Sequence, residues 1–82
     1  MKKEEIYQSL KNIIDDIKGE IVISNETALI DGGIMDSLDV INYLTQIEET
    51  FNIVVSMDKL VENKLGIIGN MVDFIESNLN IL

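Results

Sequence analysis

The 82-residue sequence has no cysteine, no histidine, no proline, no tryptophan and no arginine. Without cysteine no disulfide can staple the chain, and the composition fits a reducing compartment. The joint absence of histidine and cysteine removes the usual zinc ligands, the thiolate nucleophile and the imidazole base. An independent catalyst is therefore not expected, and no residue is singled out as catalytic. The lack of arginine, with only six lysines against fifteen acids and a net charge of -9, leaves neither the guanidinium fork that reads guanine nor the clustered cations that hold phosphate backbones. Nucleic acid and anionic membrane surfaces are poor partners on that ground. No apolar run exceeds three residues, those at 21–23 and 53–55 being typical, so neither a bilayer span nor a signal-peptide core is expected. The expected location is the cytoplasm.

What the sequence does have is a dense aliphatic complement: 46% hydrophobic residues, with fifteen Ile, eight Leu and six Val. A chain of this length makes one small domain, residues 1–82, and needs such density to fold unaided. Ile6, Leu10, Ile13, Ile14 and Ile17 recur at spacings of three and four, with Tyr7 beside them, which predicts a helix from Lys3 to Lys18 ended by Gly19. From Glu20 to Met35 that period fails and Ser24, Asn25, Asp31, Gly32 and Gly33 supply turn chemistry. A long loop is expected there, pinned by Ile21, Ile23, Leu29 and Ile34. Asp36 caps a second helix, with Asp39 three residues on, and Leu38, Ile41, Leu44, Ile47 and Phe51 are its expected buried face, broadened by Val40 and Tyr43. The stretch 51–55 is an extended connection, since nothing else offers it a partner strand. Ser56 caps a short turn from Met57 to Val61, with Leu60 and Val61 packing inward. Ile68, Met71, Val72, Phe74, Ile75 and Leu79 carry a last helix, with Gly69 oddly placed in its first turn. The expected fold is all-α, a small bundle of three long helices and one short one.

Two side-chain groups get a plain structural reading. Met35, Met57 and Met71 could line an adaptable acyl-binding interior, but methionine more often fills core gaps, and the core is the expected place for them. Asp15, Asp16 and Glu20 lack the ordered ligand pattern of a calcium loop, so no metal site is expected.

Ser37 is the one hydroxyl placed where an acidic loop turns into a helix. A serine there is usually a cap, and nothing in the chain can activate it as a nucleophile. Its surroundings alter that weighing. The run Leu29-Ile30-Asp31-Gly32-Gly33-Ile34-Met35-Asp36-Ser37-Leu38 resembles the attachment signature of the acyl and peptidyl carrier proteins. The likeness continues through Asp39, then Glu48-Glu49-Thr50-Phe51-Asn52-Ile53, then Ile68, Met71, Val72, Phe74 and Ile75, from about Thr27 to Ile75 in all.

The resemblance implies that a phosphopantetheinyl transferase attaches phosphopantetheine from coenzyme A to Ser37. The arm's thiol would then carry an acyl or aminoacyl group as a thioester among loading and processing enzymes. In family terms Asp36 helps the transferase engage, and Asp36, Leu38, Asp39, Glu48 and Glu49 form the docking surface. A free-standing monomeric carrier is expected. Two departures point away from bulk fatty acid synthesis. Ile34 and Met35 separate Gly33 from Asp36 where the common carriers have one residue, and Asn42 stands at a position that is acidic in the fatty-acid type. Both favour a specialised pathway such as polyketide, peptide or D-alanyl transfer. A third departure, Ile67 preceded by Gly66 where a capping Thr is usual, requires the last helix to begin in another way. The competing reading is an unmodified acidic helical adaptor that binds a basic protein surface through the second helix.

Overall fold

The apolar period of the first segment becomes α1 (Lys3–Lys18), in which Ile6, Leu10, Ile13 and Ile14 are buried. The Lys2 amide donates to the Glu5 carboxylate at 3.0 Å at its start. Gly19 ends it at φ 80°, a backbone state open to glycine, with its N–H on the Asp15 carbonyl. The computed structural model describes residues 2–79, and α1 is followed by α2 (Ser37–Phe51), α3 (Met57–Glu62) and α4 (Ile68–Leu79). Among the described residues there is no strand, only an isolated antiparallel bridge between Ala28 and Ile67. The all-α bundle of three long helices and a short one is the architecture found.

α1 packs against both α4 and α2. The core gathers the α1 stripe, Val40, Tyr43, Leu44, Ile47 and Phe51 of α2, and Ile68, Met71, Val72 and Ile75 of α4. Burial without a hydrogen-bond partner pushes the Tyr43 phenol well above its ordinary pKa.

Three expectations about burial are corrected. Leu38 and Ile41 are 77% and 56% exposed, although both were expected on the buried face of α2. The face that meets the core is centred on Val40, Tyr43 and Ile47 instead, which turns Leu38 and Ile41 outward. Val61 does not pack inward with Leu60. It is 74% exposed, because a helix of only six residues offers the core a single position. Met57 stands at the surface rather than in the core, whereas Met35 and Met71 are buried.

The loop between α1 and α2 is held by backbone bonds and by buried Leu29. The Leu29 carbonyl accepts from the amides of Ile34 and Met35 at 3.0 and 2.9 Å, and the Gly32 amide donates to Ala28 at 3.0 Å. The same loop solves the start of α4. Its first amides, those of Ile68 and Gly69, donate to the carbonyls of Thr27 and Asn25 at 3.1 and 2.8 Å, in place of a capping side chain. Gly69 suits that close approach: a Cβ there would lie 3.0 Å from the Asn25 carbonyl oxygen. On the other side, the Glu48 carboxylate accepts from the Val55 amide at 2.8 Å and pins the extended connection to α2.

Candidate functional site

Asp36 does the capping at the head of α2, which leaves Ser37 unused for that purpose. The Asp36 carboxylate accepts from the Asp39 amide at 2.9 Å, and the Asp39 carboxylate accepts from the Asp36 amide at 3.2 Å. Ser37 is the first helical residue, exposed to solvent, and its hydroxyl has no hydrogen-bond partner among the described residues. The amides of Ser37 and Leu38 are likewise without protein acceptors among those residues. Free N–H groups at a helix start favour an anion beside them.

A second tie closes this corner. The Lys18 ammonium, at the end of α1, lies 3.0 Å from the Asp39 carboxylate. That hydrogen bond, followed by the one from the Asp36 backbone, holds the Asp39 carboxyl below the usual carboxylate range.

Ser37 opens onto a groove of about 760 Å³ between α2, α3 and the loop. Buried Met35, Val40 and Leu60 line it, together with the exposed side chains of Ile41, Met57 and Val61. Of the expected docking residues, Asp36 and Leu38 flank Ser37, with Leu38 exposed. Glu49 is also exposed, further along α2. Asp39 and Glu48 are turned to internal partners, Lys18 and the Val55 amide. Sequence reasoning missed Lys18, whose partner is 21 residues away. It also assigned the groove residues Ile41, Met57 and Val61 to the core. The signal for the groove was present in α2, where Leu38, Val40, Ile41, Tyr43, Leu44 and Ile47 form an apolar arc too wide for one buried stripe.

An exposed, unpaired hydroxyl at a capped helix start, beside free amides and an apolar groove, leaves the head of α2 open to a covalently attached group. The comparisons point to a carrier of such a group. Residues 8–75 match the family described as the phosphopantetheine attachment site. Over 81 residues the chain is 36% identical to an acyl carrier protein of Coprothermobacter proteolyticus, covering 96% of each chain. No solved structure matches. The chain belongs to the phosphopantetheine-attachment family and is a carrier protein, not an enzyme. Its cofactor is covalently attached phosphopantetheine, and it works with transferases and acyl-processing enzymes.

The residues at the head of α2 suit that group. The hydroxyl is accessible, the free amides of Ser37 and Leu38 favour its phosphate, and the groove begins beside it.

Proposed function

We propose that Ser37 is the attachment point and that the cargo is an acyl chain handled in a specialised pathway. The observation that carries this reading is the unpartnered Ser37 hydroxyl at the rim of a largely apolar groove. The attached arm supplies the thiol, which a chain without cysteine lacks, and holds the cargo as a thioester. This chain's own residues do the rest. Asp36 and Asp39 fix the turn so that Ser37 faces solvent, where a transferase can supply the base that the carrier lacks. Met35, Val40, Ile41, Met57, Leu60 and Val61 offer an aliphatic chain a place out of water, at roughly 25 cal/mol per Å² of apolar surface covered. The aliphatic share of that lining favours an acyl chain, with Asp31, Asp36 and Lys64 as its charged members.

Docking is read from Asp36, Leu38 and Glu49 first, which are exposed, with Asp39 and Glu48 secondary because both are half-buried as well as tied within the fold. The unusual spacing through Ile34 and Met35, together with neutral Asn42 on the exposed side of α2, supports the specialised reading over bulk fatty acid synthesis. Asn42 offers a basic partner no negative charge, and its Oδ1 already accepts from Gln46 at 3.0 Å.

Incubation with coenzyme A, magnesium and a broad-specificity phosphopantetheinyl transferase tests the assignment. One arm should appear by intact mass, and peptide mapping should place it on Ser37. Ser37→Ala should abolish modification yet keep the wild-type unfolding midpoint, since the hydroxyl caps nothing. A bare Ser37 under conditions that modify a control carrier would sink the assignment.

A further inference from the structure

We propose that Lys18 is a specificity-determining residue, a built-in counter-ion that withholds Asp39 from basic partner enzymes. The proposal rests on the reading of Ser37 as the attachment point. Lys18 closes α1 and Asp39 lies in the first turn of α2, two residues past Ser37. The Lys18 ammonium meets the Asp39 Oδ2 at 3.0 Å, and that same oxygen accepts the Asp36 amide at 3.2 Å. Asp39 is thereby held between a cation and a backbone donor, with only 21% of its side chain exposed. Asp31 and Asp36, the other acids near Ser37, are exposed and have no ammonium within 4.0 Å among the described residues.

The consequence follows from what an enzyme acting at Ser37 must do. It must touch the neighbours of Ser37 on α2, and an enzyme that takes its group from coenzyme A carries cations for the phosphates. A partner cation reaching Asp39 would have to displace Lys18. Exchanging one exposed ion pair for another gains little. The next outward positions, Asn42 and Gln46, are neutral, and they bond to each other at 3.0 Å. Despite a net charge of -9, the stretch of α2 from Ser37 to Gln46 carries Asp39 as its one acid, and exposed acids without an ammonium among the described residues resume at Asp16, which accepts from Gln46 at 3.2 Å, and at Glu49. Partners that use Asp36 and the exposed Leu38 are accepted, whereas partners that need a run of acids along α2 gain nothing from Asp39.

The test is transferase kinetics on the apo protein, with kcat and KM measured separately at low and high salt. Lys18→Gln should free the Asp39 carboxylate and lower KM about fivefold at low salt, with kcat changed less than about twofold and the gain gone at high salt. Asp39→Asn should raise KM little while Lys18 is present and much more in the Lys18→Gln background. Lys18→Arg should restore the wild-type KM. Lys11→Gln removes the same charge from α1 but pairs with Asp15 alone, and should leave KM unchanged. In carboxyl-carbon NMR titrations the Asp39 pKa should rise in Lys18→Gln. Equal effects of Asp39→Asn in both backgrounds, or a rise in KM with a fall in kcat for Lys18→Gln, would overturn the proposal in favour of a merely structural ion pair. An Asp39 titration that does not move overturns it alone, while failure of every variant to be modified overturns the attachment reading and the proposal with it.

Discussion

The two sides of this bundle use the same aliphatic residues to opposite ends. Where α1 packs against α4, the two helices bring Ile6, Leu10, Ile13 and Ile14 and Ile68, Met71, Val72 and Ile75 to the core, and all eight are buried. Around Ser37, apolar side chains are left in water. Of the seven large hydrophobics exposed among the described residues, Ile30, Ile41, Met57 and Val61 line the groove, and Leu38 follows Ser37 directly. Exposure so concentrated marks a surface kept open for a ligand or partner, while scattered exposure would need no account. The closed side therefore stores stability and the open side gives some up for function.

Leu10→Ala should have the largest effect and define the closed side. Leu10 is fully buried on α1, so truncation removes transfer free energy and leaves a cavity. A loss of about 3 kcal/mol is expected from urea unfolding, a large share of what a domain this small possesses. If Leu10→Ala costs no more than a groove variant, the two sides are not different in kind.

Gly69→Ala comes next, at the seam where the loop reaches α4. Helix propensity alone forecasts a gain of up to about 1 kcal/mol from this change. The added Cβ would instead stand 3.0 Å from the Asn25 carbonyl oxygen and 3.2 Å from its Cβ, and that oxygen is held by the Gly69 amide. A net loss of about 1 kcal/mol is expected, because backbone at that distance cannot yield as a side-chain end would. A raised midpoint would show that the loop is a loose cover rather than the cap of α4.

Those two residues also mark what the sequence could tell. The range of α1 and the start of α2 were legible because both rest on local signals: a clean three-four period closed by glycine, and an aspartate with a second acid three residues on. The role of Gly69 was hidden, since it depends on a chain segment more than forty residues earlier in sequence. Leu38 and Ile41 were assigned to the core for a different reason. Periodicity reports that a face is apolar, not whether the protein covers it or leaves it open for cargo. The motif around Ser37 was legible, but the Lys18 tie that steadies its turn was not, because a single lysine at a helix end has many equivalent partners in sequence.

A smaller effect comes from that tie. The folded-state pKa of Asp39 is depressed below 3.8, so the stability it contributes is fully present above that unfolded value and is lost as pH falls through the lower folded value. The melting-temperature gap between wild type and Lys18→Gln should therefore be constant near neutrality and close below pH 3.8. A gap that persists in stronger acid would mean that Lys18 acts through packing of its stem and not through the carboxylate.

The smallest change in stability, and the sharpest test of the open side, is expected from Val61→Ser and Met57→Ser. Both side chains are more than half exposed, so each variant should stay within about 0.5 kcal/mol of wild type in the apo form. The cargo-bearing form should not be so indifferent. An octanoyl group settling in the groove buries methylenes against these two residues, and a ligand held only by the folded state raises its stability. Octanoyl-loaded wild type should therefore melt above the holo form, and both serine variants should lose part of that increment while the holo forms remain alike. If loading raises the melting temperature of the variants as much as that of wild type, the chain lies elsewhere and the exposed aliphatics around Ser37 serve docking alone.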